Sequence, residues 1–265
     1  MEEGVVTTPP APPAPPPYVP GHGLLAGKTV LVTAAAGTGI GFAVARRAVE
    51  EGARVMISDI HERRLSEAAK ELGGVPAARC NVAVEADVTA LWEAADRELG
   101  HVDVLINNAG LGATAAVVEM TDEQWQQVMD ISLTGTMRMT RAALRRMLPR
   151  KAGVIVNNAS VLAWRAQAGQ SAYAAAKAGV LALTRCAAIE AAPSGVRINA
   201  VSPSLAMHKH LVKVTSQDVL DTLTAREAFG RGAEPWEVAN VIVFLASDYS
   251  SYMTGEVLSV SSQHA

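Results

Sequence analysis

The sequence predicts an α/β fold in which a doubly wound parallel sheet is covered by helices on both faces, built as a single domain. Three observations predict it. Apolar runs bounded by turn residues alternate with amphipathic segments from Lys28 onward. The first apolar run ends in a cluster of glycines that opens a helix, and 265 residues with 49% hydrophobic content suit one large core.

Taken in order, the chain begins with about 25 residues dense in proline, which favours polyproline II over helix or sheet, so residues 1–25 are predicted to form an extended or disordered arm. Residues 26–265 form the domain. "KTVLVTA" reads as the first strand, with a helix from Gly39; "ARVMISD" as the second, with the helix "HERRLSEAAKEL" behind it. "PAARCNV" is the third strand, followed by a helix to Leu99. "VDVLINNAG" leads into a long helix over 121–148, "GVIVNNAS" into a helix carrying Tyr173 and Lys177, and "GVRINAVSP" closes the series. Residues 203 to about 230 break the alternation with mixed polar and apolar sequence before "EPWEVANVIVFLASD" resumes a helix. Following a strand's carboxyl end, such a segment is a candidate substrate lid.

Bulk properties exclude several classes. The formal net charge is −3 and no Lys/Arg block exceeds a pair, so nothing forms the basic stripe that nucleic acid requires. No stretch is expected to reach membrane-spanning length, and the amino-terminal segment has the pattern of neither a signal nor a transit peptide. Cys80 and Cys186, both in apolar regular segments, read as buried filler in a reducing compartment, hence the cytoplasm. A metal site is not expected, because no carboxylate or cysteine lies at ligand spacing from the histidines at 208 and 210.

Two constellations carry chemistry. In "VLVTAAAGTGIGFAVARRAVEEGARVMISD" the first strand runs into Gly37, Gly39 and Gly41, then a helix, then a second strand ending in Asp59. Glycines there let the backbone approach a pyrophosphate at a helix N-terminus. A carboxylate closing the second strand accepts hydrogen bonds from both ribose hydroxyls of NAD and repels the 2'-phosphate of NADP, so NAD is the expected cofactor. In "SAYAAAKAGV" Tyr173 and Lys177 stand four apart in a run of good helix formers, which points both at one place. Alone, that pair is also a common surface arrangement.

The glycine-rich turn, "NNAG" at 107–110, Ser160 thirteen residues before Tyr173, and Tyr173-x-x-x-Lys177 together resemble the compact single-domain branch of the short-chain dehydrogenase/reductase family, from about residue 24 onward. The stretches "LLAGKTVLVTAAAGTGIG", "NNASVLAWRAQ" and "AEPWEVA" are similar to a narrower actinobacterial subgroup that degrades the C and D rings of steroids. The resemblance implies a Rossmann-like, seven-stranded parallel sheet and a reaction that interconverts a secondary alcohol and a ketone. Tyr173 would give or take the substrate proton, Lys177 would stabilise its phenolate and bond the nicotinamide ribose, and Ser160 would hold the substrate oxygen. Thr33, Gly37, Gly39, Ile40, Gly41, Asp59, Asn81, Val82, Asn108, Ala109, Gly110 and Pro203 would line the cofactor with Tyr173 and Lys177, while Asn107 braces the fourth strand. Val161, Leu162, Trp164, Gln167 and His208 would face the substrate, with Arg165 near the mouth of the pocket. The substrate implied is a bicyclic hydrindanone bearing a propionyl side chain or its coenzyme A thioester. A homotetramer or dimer paired through the long helices on the fourth and fifth strands is expected.

Departures from the family pattern stand at three places. Ser132 occupies a fourth catalytic position, usually an asparagine that holds a relay water, and is expected either to hold a displaced water or to leave a wider hydrated gap behind Lys177, with the relay altered and not lost. The glycine turn is one residue longer, with alanines after Thr33. After "NAVSP" stand Ser204 and His208, where a glycine and a threonine are usual. Two rival readings remain: a 3-oxoacyl-thioester reductase, which usually works with NADPH, and a catalytically silent dinucleotide-sensing protein.

Overall fold

The computed structural model describes residues 12–263. Seven strands form one sheet in the order β3-β2-β1-β4-β5-β6-β7, every neighbouring pair parallel. The strands are β1 (Thr29–Val32), β2 (Arg54–Asp59), β3 (Ala77–Arg79), β4 (Val104–Asn107), β5 (Gly153–Asn158), β6 (Val196–Pro203) and β7 (Val257–Val260). The helices are α1 (Ile40–Glu50), α2 (Glu62–Glu71), α3 (Glu85–Leu99), α4 (Asp122–Met129), α5 (Gly135–Arg150), α6 (Ser171–Ala191), α7 (Lys209–Val214), α8 (Gln217–Thr224) and α9 (Pro235–Ala246).

The alternating pleat divides the core into two layers. Val30 and Val32 of β1 pack with Val44 and Ala45 of α1 and with Val238 and Ile242 of α9. Leu31, between them, faces the other way into Met56, Trp92, Leu105, Met139 and Ile198. Strand order reverses beside β1, whose Val32 pairs with Ile57 of β2 and Ile106 of β4. Such a switch point opens a crevice at the carboxyl ends of the strands.

Three sequence expectations change. The helix read over 121–148 is interrupted by a π turn at Asp130–Thr134, with Ser132 at its centre. Pro149 ends up inside α5 near its close, where Lys151 turns the chain at φ +55°. Cys80 is buried but Cys186 is exposed on α6, so only one of the two thiols is core filler. The segment Ser171–Ser194 does have the length and apolar composition of a membrane span, contrary to expectation; it is the core helix of the sheet, less than half buried, and it carries Tyr173 and Lys177. The segment read as a candidate lid holds the short helices α7 and α8.

The end of the arm lies against the domain. Tyr18 stacks edge-on against Trp236 at 5.4 Å and hydrogen-bonds Glu50, while Arg47 sits over the Tyr18 ring at 5.5 Å. Glu51, fully buried, accepts the backbone N–H groups of His22 and Leu24, both at 2.9 Å, and pairs with Arg47 at 2.9 Å. These bonds hold the chain where it enters β1. Residues 1–11 of the predicted arm lie outside the described part.

Candidate active site

At the carboxyl end of β1, Thr33 is buried and its hydroxyl is spent on the end of β4 and the loop that follows it: it donates to the Ile106 carbonyl and accepts the N–H groups of Asn108 and Ala109 at 3.0 and 3.1 Å. Asn108 answers by donating its amide to the carbonyls of Thr33 and Ala34 at 3.2 and 3.0 Å. Ala34, standing where the family pattern has glycine, takes φ +50°, a left-handed conformation that costs an alanine about 1–2 kcal/mol. The lengthened turn then passes Gly37 at φ +120° to Gly39, the N-cap of α1, which has no side-chain cap bond.

Gly41 follows Ile40 in the first turn of α1. A Cβ there would stand 2.3 Å from the Ala34 carbonyl and 2.4 Å from the Asn108 amide, so only glycine fits. Asp59 closes β2 at 7% exposure, one carboxylate oxygen accepting the Ala36 N–H at 3.1 Å and the other the His61 N–H at 3.0 Å. Each oxygen keeps a lone pair for a ribose hydroxyl. The cradle that a Cβ would fill, the uncapped helix start and this anchored carboxylate fit a nicotinamide dinucleotide. Asn81 caps its own turn by accepting the Ala83 N–H at 3.0 Å, and Val82 lies against Gly135 of α5, where a Cβ would come within 2.6 Å of it. Pro203 ends β6, buried and paired with Val260.

The groups read as catalytic converge from the end of β5 and from α6. Ser160, 8% exposed, caps the 3-10 turn Val161–Ala163 by accepting the Leu162 N–H, and its hydroxyl lies near enough to the Tyr173 phenol to favour the phenolate. Burial pushes that phenol above its ordinary value, and the Ser160 hydroxyl offsets this only in part. One turn along α6, Lys177 is 3% exposed with its Nζ 5.6 Å from the Tyr173 ring, donating to the Asn158 carbonyl at 2.6 Å. Burial pulls the Lys177 ammonium down to about 8. Gly110 passes so close that a Cβ would lie 3.2 Å from Lys177 Nζ and 3.7 Å from Ser132 Oγ, which brings the "NNAG" loop, the lysine and the π turn together.

Ser132 is fully buried, and its hydroxyl closes on the backbone of Leu111, accepting the N–H at 2.9 Å and donating to the carbonyl at 3.1 Å. The group read from the sequence as a water holder is thus occupied in fixing the loop that carries Gly110.

The residues expected to face a substrate divide. Val161 is buried; Leu162 and Gln167 are half-buried; Trp164 is 49% exposed. Arg165 donates to the side chain of Gln263 at 2.6 Å. His208 caps α7 through the Leu211 N–H at 3.3 Å and lines a cleft of about 350 Å³ with Met207, Lys209, Val212, Lys213 and Glu234, which none of Ser160, Tyr173 or Lys177 shares.

Sequence reasoning missed Asn158, which both receives Lys177 and donates to Asn108 at 2.9 Å, tying the lysine to the cofactor turn. It also passed over Asn157, buried mid-sheet between Asn107 at 2.9 Å and Thr184 at 2.9 Å. Two adjacent polar residues closing an apolar strand were the available signal for both. Asn107, expected to brace β4, is buried and bonds Thr140 as well as Asn157.

Residues 34–262 match the family model described as enoyl-(acyl carrier protein) reductase. The chain is 63% identical over 256 residues to a (5R,7aS)-5-hydroxy-7a-methyl-1-oxo-2,3,5,6,7,7a-hexahydro-1H-indene-carboxyl-CoA reductase of Mycobacterium tuberculosis, covering 94% of this chain and 97% of that one. A crystal structure of a short-chain dehydrogenase from Mycobacterium smegmatis superposes with a TM-score of 0.84 at 58% identity, covering 94% and 98% of the two chains. An actinorhodin polyketide ketoreductase variant solved with NADPH gives a TM-score of 0.83 at 33% identity, covering 89% and 96%.

Proposed function

The chain belongs to the short-chain dehydrogenase/reductase family, and on that premise we propose that it is an NAD-dependent enzyme interconverting a secondary alcohol and a ketone on a bicyclic hydrindanone that carries a carboxyl coenzyme A thioester, in steroid breakdown. One observation carries the reading. The hydroxyls of Ser160 and Tyr173 and the ammonium of Lys177 converge beside the crevice at β1, in a chain 63% identical to a reductase of that substrate class.

A bound nicotinamide would supply or accept the hydride. Everything else falls to this chain. Ser160 orients the substrate oxygen toward Tyr173 and shares the charge that develops on it. Tyr173 donates its phenolic proton to that oxygen in reduction and takes it back in oxidation. Lys177, positively charged below about pH 8, stabilises the phenolate left behind, and its hold on the Asn158 carbonyl keeps the charge one turn from the phenol. Gly41 and the uncapped start of α1 receive the pyrophosphate, and Asp59 reads the adenosine ribose. Ser132 acts as a positioning residue by fixing Leu111 and thereby the Gly110 loop against Lys177.

The buried Asp59 carboxylate favours NAD, because a 2'-phosphate brought beside it would meet like charge. The same residue argues against the 3-oxoacyl-thioester reductase reading, which usually works with NADPH. Assembly as a homotetramer through the outer faces of α5 and α6 is supported by Ile189, 76% exposed on α6. A reducing, cytoplasmic setting suits its two free thiols.

Wild type and Asp59→Ala, titrated with NAD and NADP against the hydrindanone-carboxyl coenzyme A thioester and a linear 3-oxoacyl coenzyme A thioester, test this reading through nicotinamide absorbance. The wild type is expected to prefer the bicyclic thioester and NAD, and Asp59→Ala to narrow the cofactor preference by about tenfold, the loss of one ribose contact read in kcat/KM. Preference for the linear thioester, or an unchanged cofactor ratio, overturns it.

A further inference from the structure

Glu227 lies between α8 and α9, outside every motif, and it is 4% exposed. Four donors from two distant segments converge on its carboxylate. The Ser204 hydroxyl at 3.0 Å and the Ser262 hydroxyl at 2.9 Å reach Oε2; the Leu205 N–H at 3.2 Å and the Gln263 amide at 3.0 Å reach Oε1. All four are uncharged, and a buried carboxylate persists only when such donors satisfy it. The backbone repeats the link: Ala228 N–H donates to the Ser262 carbonyl at 2.6 Å, and Glu227 and Gln263 form an antiparallel bridge.

The segments joined are informative. Ser204 and Leu205 leave β6 directly after Pro203 and begin the lid; Glu227 and Ala228 end it; Ser262 and Gln263 follow β7. Ser204 stands where the family pattern has glycine, and its hydroxyl is one of the four donors, so that departure has its explanation here. Gln263 is bifunctional. Its amide nitrogen serves Glu227 while its oxygen accepts Arg165 at 2.6 Å, the residue at the mouth of the substrate site.

We propose that Glu227 is a positioning residue that latches the two ends of the lid to the carboxyl-terminal tail and, through Gln263, holds the Arg165 guanidinium at the substrate entrance. The latch itself is read from the contacts above; its effect on substrate rests on the proposed function. It predicts a change in substrate KM with turnover nearly unaffected, because Arg165 meets the substrate and not the reacting atoms.

Two substitutions separate this from a plain structural role. Glu227→Ala leaves four donors, all on half-buried residues, without their acceptor. Glu227→Gln keeps Oε1 for the two N–H donors and turns its amide toward two hydroxyls, which can rotate to accept. With the hydrindanone-carboxyl coenzyme A thioester, Glu227→Ala is expected to raise KM about tenfold, a misplacement effect, with kcat within about threefold, and Glu227→Gln to stay within about threefold of wild type on both. Arg165→Ala should raise KM similarly, and the Glu227→Ala/Arg165→Ala double variant should be no worse than Arg165→Ala, as expected of residues acting in one chain. Amide hydrogen exchange at Leu205 and Ala228, which needs no substrate, should quicken in Glu227→Ala and not in Glu227→Gln. An unchanged KM in Glu227→Ala, additive effects in the double variant, or equal damage from Gln and Ala overturns the proposal. If the wild type ignores the thioester, the substrate assignment falls and exchange alone decides the latch: unaltered protection in Glu227→Ala overturns it.

Discussion

The side of the crevice proposed for the cofactor and the side proposed for the substrate are built on different principles. On the cofactor side, Thr33, Gly41, Asp59 and Asn108 sit at strand ends or helix starts, and most of their bonds go to backbone atoms. On the substrate side, Arg165 reaches Gln263 across 98 residues of sequence, Glu227 binds Ser204 and Ser262 side chain to side chain, and Trp164 is 49% exposed. Backbone geometry dictates residue type at the first, because a Cβ or a lost hydroxyl has nowhere to go. Side-chain pairs at the second can be exchanged for other pairs, so the region is free to follow its substrate.

The largest effect is expected where the two sides meet. Tyr173 takes its hydroxyl partner, Ser160, from the substrate side and its cation, Lys177, from the face turned toward the "NNAG" loop. Tyr173→Phe should lower turnover on the order of 10²- to 10⁴-fold, the range of positioned proton transfer, while dinucleotide affinity, measured by fluorescence quenching, stays within about twofold. Near-normal turnover would remove Tyr173 from the chemistry and with it the joint between the two sides.

A paired substitution measures the difference in rigidity. Gly41→Ala must displace the Ala34 carbonyl or the Asn108 amide, both backbone-anchored, and should destabilise by about 3 kcal/mol, the upper range for overpacking. Trp164→Ala, half exposed, should cost less than about 1 kcal/mol of stability while raising substrate KM. Urea unfolding followed by circular dichroism checks both. Similar losses at the two sites would erase the distinction.

The distinction also explains what the sequence let one see. The glycine turn, Asp59 and the Tyr/Lys helix were legible because each is a local rule: backbone approach, strand-end charge, helical spacing. The π turn was not, since the helix-forming pattern runs through Asp130–Thr134 without a proline or glycine, and only the pull of Ser132 on Leu111 marks it. Glu227 was illegible for a stronger reason. Its four donors come from residues 22 to 36 positions away, and no local pattern encodes their meeting. Exposure of Cys186 escaped the sequence reading because α6 is apolar around most of its girth, covered by the sheet on only part of it.

The smallest effect probes how dry the joint is. Lys177 donates to the Asn158 carbonyl and sits beside the Tyr173 ring, and burial sets its proton affinity, bringing it from an ordinary 10.5 to about 8. The unfolded chain keeps that proton until about pH 10.5. Below about pH 8 both states are protonated and the folded state bears the penalty of a buried charge, on the order of 3 kcal/mol for a displacement of this size. Between about 8 and 10.5 the unfolded state binds the extra proton, so stability from this group rises with pH across that window. Tyr173 acts in the opposite sense, but only above about pH 10, because burial makes the folded state hold its phenolic proton longer than the unfolded chain does. Comparing wild type with Lys177→Met cancels the titrations the two share. From pH 7.5 to 9.5 the wild type should gain about 2 kcal/mol on the variant in urea unfolding, most of the linkage available in that range. Parallel curves would mean that Lys177 holds its proton throughout, stabilised by hydration or by the Asn158 carbonyl, and that the meeting point of the two sides is wetter than its 3% exposure indicates.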